Sequence, residues 1–345
     1  MTTQTLKHFA VSSALLGLLL TASLAGAQAG IVRRMPRKRA GSSARQAVVR
    51  PSTTPGSTSY TFTLLNFPGT LSTLAEGINL GATSSAMKIV GGINLDDDAV
   101  NGNGETQGGF LARVSGAKIF SETYEALNDP HIPVYQGVLG LNDSGDIVGT
   151  YLDSSGEFHA YEKVGAKFSD IDVTLAGANN TTAYGINNAG GVVGSYEDAS
   201  GLSHGFTLVG GTYTSIDYPG AIQTAASGIN SSGEIVGEYG DDSGWHGFLL
   251  SGGTYTSFDF SGGATETWAN AINDSGNIVG FYCLTEECVG DLSGAQGFLL
   301  SGGTFTTIAV PGEVYTQALG INNKGQIVGF YQDAAGLIGS FLATP

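Results

Sequence analysis

All 30 aspartates and glutamates of this 345-residue chain lie beyond residue 59, against 14 lysines and arginines overall, for a net charge of −16. So acidic a chain repels nucleic acid and other polyanions, which excludes them as partners. Its two cysteines permit one disulfide at most.

In chain order, Lys7 and His8 precede the apolar run FAVSSALLGLLLTASLAGA, and Ala27-Gln28-Ala29 offers a small-residue cleavage site. Residues 1–29 therefore read as a secretory signal peptide. An uncleaved anchor is the alternative, because the run approaches bilayer thickness and RRMPRKR (33–39) follows it with strong positive charge. Cleavage predicts a secreted, periplasmic or cell-surface protein with no stable membrane insertion. Residues 30–59 contain no acid and show no apolar period; rich in Arg, Pro, Ser, Thr and Gly, they read as a disordered basic linker.

From Tyr60 onward only Lys88, Arg113, Lys118, Lys163, Lys167 and Lys324 oppose the thirty acids. A Gly/Ala-Ile/Leu-Asn marker recurs there at Gly77, Gly140, Gly185, Gly228, Ala271 and Gly320, mostly 43–49 residues apart. Around Gly228 the segments TAASGIN, EIVGEY, WHGFLL and TYTSFDF are short and rich in β-branched and aromatic residues. Ser-Ser-Gly, Asp-Asp-Ser-Gly and Ser-Gly-Gly separate them, which is tight-turn chemistry. Each unit is thus a four-stranded antiparallel meander, with strands a to d in chain order, and the period is that of a propeller array.

The domain opens on YTFTLLNFPG at Tyr60, which matches a fourth strand, and ends on GLIGSFLATP, which matches a third. Residues 60–345 are therefore predicted to form an all-β, six-bladed β-propeller whose N-terminal strand completes the last blade and hides its edge. Ala or Val two residues before each marker, and Thr or Gln four before, suit innermost strands crowded at an axis.

Interruptions of the repeat are the candidate sites. DDDAVNGNGE carries Asp96, Asp98 and Glu105, oxygen ligands suited to calcium, although the spacing is not that of an EF-hand and a solvated acidic loop explains it as well. No other cofactor is expected. Cys283 and Cys288, five apart in an exported protein, read as a local disulfide, with free thiols as the alternative. His159, His204 and His246 occupy one repeated position, each after an acid (Asp153, Asp198, Asp242), and read as structural links at the b–c turn rather than catalytic bases. The marker asparagines read as caps of the turn that follows.

Five residues before the marker stand Ser72, Tyr135, Asn180, Gln223, Glu266 and Tyr315; three before stand Leu74, Gly137, Thr182, Ala225, Trp268 and Gln317. Here the copies abandon their consensus. Trp268, Glu266, Tyr315, Tyr135 and Gln223 are the expected ligand-binding residues, at the mouth of the central channel on the rim of the d–a connections.

The strings HAY at His159, HGF at His204 and His246, QGF at Gln296, GGF at Gly108 and GSF at Gly339, with GGTYTSIDYPGA, resemble the bacterial HAF-family extracellular repeat. The resemblance covers residues 60–345 and implies an exported repeat domain; it brings no reaction or catalytic residue. The chain contains no Walker loop or H-E-x-x-H. The reading is an exported, monomeric, non-catalytic binding protein for a glycan, peptide or protein ligand. The alternative is a carbohydrate-active or other hydrolase or lyase acting at the channel mouth.

Overall fold

The computed structural model describes residues 49–51, 60–65, 72–79, 87–94, 107–115, 118–127, 135–284 and 294–345. β1 (Val49–Pro51) and β2 (Thr61–Leu65) precede six meanders. Blade 1 holds β3 (Ser72–Ile78), β4 (Met87–Asn94), β5 (Gln107–Ser115) and β6 (Lys118–Leu127), and blade 2 holds β7 (Tyr135–Leu141), β8 (Ile147–Leu152), β9 (Phe158–Val164) and β10 (Lys167–Asp170). β11 (Asn179–Ile186), β12 (Val192–Glu197), β13 (Ser203–Val209) and β14 (Thr212–Ile216) form blade 3. Blade 4 is β15 (Gln223–Ile229), β16 (Ile235–Asp241), β17 (Gly244–Ser251) and β18 (Thr254–Phe258). β19 (Glu266–Ile272), β20 (Ile278–Cys283), β21 (Gln296–Ser301) and β22 (Thr304–Ile308) form blade 5, and β23 (Tyr315–Ile321), β24 (Ile327–Gln332) and β25 (Ile338–Thr344) belong to blade 6. The chain is a six-bladed β-propeller.

In blade 6 the sheet order is β1-β2-β25-β24-β23, with β2 antiparallel to β25 from Thr61↔Thr344 to Leu65↔Ser340. β1 lies within the segment read as linker, yet its three residues pair outside β2. Blades 1 and 2 are joined by a single parallel bridge, Gln107↔Tyr135.

One irregularity explains much of the repeated wording. In every blade strand a carries a bulge at the residue before the marker, as between Ala226 and Gly228. The bulged backbone drives a carbonyl towards the Gly of Ile-Val-Gly-x-Tyr on strand b. A Cβ at Gly237 would overlap the oxygen of Ala225, and one at Gly280 the oxygen of Trp268. No side chain fits there, so this Gly recurs in all six copies. The marker glycines are held by a second constraint, because a Cβ on Gly140 would stand 2.6 Å from the Tyr184 oxygen and 3.2 Å from the Gly185 Cα. The innermost strands therefore touch backbone to backbone around the axis.

The core lies between blades. Val236 of blade 4 packs with Ala269, Ile272, Ile278 and Phe298 of blade 5, and the arrangement repeats around the ring. Phe206, Phe248 and Phe298 are fully buried, each such burial contributing roughly 1.5–3 kcal/mol. The threonine four before the marker does more than fit: Thr181, Thr224, Thr267 and Thr316 Oγ1 accept from the backbone N–H of Val173, Tyr218, Phe260 and Val310, pinning each d–a connection.

The marker asparagines form a closed hydrogen-bonded circle. Each Nδ2 donates to the carbonyl oxygen of the next: Asn79 to Asn142, then Asn187, Asn230, Asn273, Asn322 and back to Asn79, at 3.1–3.3 Å. In five copies, from Asn142 to Asn322, Oδ1 accepts from turn N–H groups of its own blade, which is the capping role the sequence predicts; the link between blades is additional. Asn230→Ala leaves the N–H groups of Ser232 and Glu234 without partners and removes the link to the Asn273 oxygen, and is expected to lower stability by about 2–4 kcal/mol. Ser231→Ala beside it should lie within about 0.5 kcal/mol of the parent. Equal thermal melts for the two variants would show that the circle contributes nothing.

Candidate functional site in the axial interior

Strand a runs down the axis, and its two faces differ. Positions −4 and −2 from the marker pack on the preceding blade, where a Cβ on Gly205 or Gly297 would stand about 3.2–3.3 Å from the Ala226 or Ala318 nitrogen. Positions −5, −3 and −1 share the other face with the x residue of Ile-Val-Gly-x-Tyr. That face lines the axial interior in layers.

At the a–b end the Asn circle and Asp143, Asn188, Ser231, Asp274 and Asn323 surround a shallow cavity of about 80 Å³. Its floor is a collar of Ile78, Leu141, Ile186, Ile229, Ile272 and Ile321. Above the collar come Glu76, Leu139, Tyr184, Ser227, Asn270 and Leu319. All but Leu319 are only partly buried. Ser227 Oγ donates to Glu238 Oε2 at 2.9 Å, Ser195 Oγ donates to Tyr184 Oη at 3.3 Å, and Asn270 Nδ2 donates to the Ala318 oxygen at 2.9 Å.

The next layers are lopsided. Blades 5, 6 and 1 supply Trp268, Phe281, Tyr315, Leu319, Phe330 and Leu74, packed with Trp245 of blade 4 into one buried cluster. Trp268 stacks on Phe281 with ring centroids 4.6 Å apart. Blades 2 to 4 offer only Gly137, Thr182 and Ala225 at the level of Trp268. Three polar atoms in the aromatic half lack a hydrogen-bond partner: Trp268 Nε1, Tyr315 Oη and Gln317 Oε1, on residues 3 %, 1 % and 1 % exposed. Buried polar groups normally find partners, and leaving one without costs about 1–3 kcal/mol.

The carboxyl groups here are perturbed. Burial raises Glu76 to about 8 with nothing opposing it, and raises Glu238 to about 8 against a weaker downward pull from Ser227. Burial also raises the Tyr315 hydroxyl, Glu76 adds to the rise, and Gln317 offsets part of it. Both glutamic acids are therefore protonated at neutral pH.

Trp268 and Tyr315 meet in the buried cluster, inside rather than on an exposed rim, and Glu266 begins the strand that carries Trp268. Among the described first residues of strand a, Glu266 and Tyr315 are buried, at 8 % and 1 % exposure. Gln223 begins β15 and is half-buried. Tyr135 begins β7, in the bridge to β5, and its side chain lies outside the described residues. Asp96, Asp98, Glu105 and Cys288 also lie outside them. Cys283 ends β20, fully buried. Glu76, immediately before the marker, and Glu238, in the middle of strand b, were not among the residues expected at a site.

The histidines stand away from the axis in a repeated acid–imidazole–acid bridge. Nδ1 meets Asp172, Asp217 or Asp259 from the end of strand d at 2.7, 2.7 and 3.0 Å. Nε2 meets Asp153, Asp198 or Asp241 of the b–c turn at 3.4–3.5 Å. Each ring lies against a strand b tyrosine, Tyr151, Tyr196 or Tyr239. In blade 4 the turn partner is Asp241, not Asp242 as the sequence suggested, and the strand d partner was missed. Burial alone would lower His159 and His204, but their aspartates outweigh it and raise both. The Glu157 and Ser155 hydrogen bonds hold Asp153 at about 2.

No protein-family model matches the chain, and no curated protein matches it. Among solved structures it is similar to TolB from Acinetobacter baumannii, at 10 % identity and a TM-score of 0.51 over 76 % of this chain and 65 % of TolB. The chain thus spans just under two thirds of that relative. A fucose-specific lectin from Aleuria aurantia aligns at 12 % identity and a TM-score of 0.47, over 78 % of this chain and 91 % of the lectin. A gluconolactonase from Xanthomonas campestris aligns at 12 % and 0.42, over 87 % and 97 %. The likeness to TolB shows the propeller fold alone.

Proposed function

We propose that this chain is an exported, non-catalytic binding propeller of the HAF-repeat type that takes its ligand in the axial interior, against blades 5 and 6. The observation that supports this reading is the trio of unpartnered polar atoms on Trp268, Tyr315 and Gln317. A scaffold selected for stability alone would carry apolar side chains of the same shape there, as the strand b partners Phe281 and Phe330 do. Donors and an acceptor held without partners cost stability and suit a molecule that completes them.

The test separates polar group from packing. Trp268→Ala would open a cavity beneath Phe281 and cost about 3–5 kcal/mol, so it reports on the core as much as on binding. Tyr315→Phe removes only the O–H, whereas Trp268→Phe removes the N–H together with part of the indole ring that stacks on Phe281. Tyr315→Phe should leave the free protein as stable as the parent or about 1 kcal/mol more so, Trp268→Phe should lower stability through the packing it loses, and each should weaken a ligand found by glycan and peptide screening about tenfold. Unchanged affinity in both variants would place the ligand elsewhere.

Export carries a second expectation, that Cys283 and Cys288 are joined. The bridge closes a very short loop, and its stabilisation is on the order of 2 kcal/mol or less. Intact-mass measurement after alkylation of the exported protein should find no reactive thiol; two alkylated cysteines would show the pair to be reduced.

A further inference from the structure

We propose that the ligand of the axial interior carries a primary alkylammonium group, with the carboxyl groups of Glu76 and Glu238 as its counter-charge and second hydrogen-bonding partner. This rests on the reading of the interior as a binding site and names the chemistry it takes. Glu76 enters from the inner strand of blade 1 and Glu238 from the second strand of blade 4, three blades apart around the ring. Among the described residues no lysine or arginine opposes either. Arg113, Lys167 and Lys324 are exposed, Lys163 donates to the Gly165 oxygen in its own c–d turn, and Lys88 lies beside Gly145 at the a–b end.

The surroundings narrow the cation. Gln317 Oε1 is an open acceptor for an N–H, and Tyr315 Oη lies in the same buried layer. Aromatic rings of Trp268, Tyr315, Phe281 and Phe330 line that side, and such rings attract organic cations. Among the described residues no three His, Cys, Asp or Glu side chains gather as a metal site would require. Trp268 Nε1 is a donor, so it calls for an acceptor elsewhere on the same molecule. An amine bearing a carbonyl or hydroxyl, such as a lysine side chain within a peptide, meets all of these.

The ionisable groups that face the carboxyls are tyrosines: Tyr315 beside Glu76, and Tyr184 beside Glu238, with Glu197 further along Tyr184. None supplies positive charge. Burial keeps both glutamic acids protonated near neutrality, so an arriving ammonium group ionises one of them, the other staying neutral as a hydrogen-bonding carboxyl, and a single proton passes to the buffer.

Calorimetric titration of the exported protein tests this with four probes: Nα-acetyl-lysine methylamide, its Nε-acetylated form, butylammonium and methyl glucoside. The lysine probe and butylammonium should bind at pH 7 and the Nε-acetylated form should not. The observed heat should vary with buffer ionisation enthalpy in the sense of proton release. Glu76→Gln and Glu238→Gln should each weaken binding about tenfold while remaining folded. Equal binding of the Nε-acetylated form, absence of proton release, or no binding of either amine overturns the proposal. Binding of methyl glucoside alone, lost in Trp268→Phe but not in Glu76→Gln, overturns it while leaving the interior site intact. Amine binding that survives both Trp268→Phe and Tyr315→Phe overturns the interior site itself.

Discussion

Acidifying the free protein from pH 8 to pH 5 will raise its stability, and Glu76→Gln with Glu238→Gln will remove most of that rise. Each carboxyl titrates near 4.5 when exposed and near 8 in the folded chain. Between those values the folded state holds protons that the unfolded state has lost, so stability falls as pH increases through the window. Below about 4.5 the effect is fully relieved. Each group contributes at most about 1.4 kcal/mol per pH unit; Glu76 will give less, because its side chain is only partly buried. His159 and His204, whose bridges hold them raised, lose stabilising charge as pH climbs above about 6.5 and push the same way. Comparison with the double Gln variant isolates the glutamic acids. At pH 8 that variant should melt on the order of 5–10 °C above the parent. Parallel melting curves across pH 5 to 8 would mean that the two carboxyls are solvated.

Deleting residues 60–65 should abolish the cooperative melt or drive aggregation. The segment carries Tyr60, Phe62 and Leu65, at 4 %, 1 % and 2 % exposure. Phe62 packs on Phe341 with centroids 5.5 Å apart, and Tyr60 Oη donates to the Gly325 oxygen at 3.3 Å. Loss of one such apolar side chain costs about 2–5 kcal/mol, and three together rival the 5–15 kcal/mol that keeps a typical domain folded. The backbone of β25 would also be left as a raw edge, open to pairing with another copy. Phe62→Ala should produce a milder version, soluble but with a lower melt. A truncated chain that stays monomeric and melts as before would show that β2 is not what holds the ring closed.

Much of the fold was legible because the constraint behind it is local and repeated. A backbone bulge that admits only Gly, and a turn that needs Asn, write themselves into every copy, so the Gly-Ile-Asn and Ile-Val-Gly-x-Tyr strings announce strand, turn and period at once. The site was only half legible. Trp268, Glu266 and Tyr315 stood out as departures from consensus, but their burial depends on how six inner strands crowd one axis, which no single repeat records. Glu76 and Glu238 escaped notice because a carboxylic acid in a core position looks like a surface residue until its neighbours are known. For the strand d aspartates a signal existed: Asp172, Asp217 and Asp259 each follow their histidine by thirteen residues. That regularity crosses a turn and pairs residues on different strands, so a reading confined to one turn at a time passes over it.

The most direct measurement is the indole N–H resonance of Trp268 in a ¹⁵N-labelled sample. The chain has two tryptophans, so Trp268→Phe assigns the signals. In the free protein the Trp268 N–H should show the upfield shift of a donor without a partner, and titration with the lysine probe should move it saturably while leaving Trp245 nearly unchanged. A Trp268 resonance that stays fixed while the probe binds, or one that already carries the shift of a fully bonded indole, would contradict an interior built to be completed by a ligand.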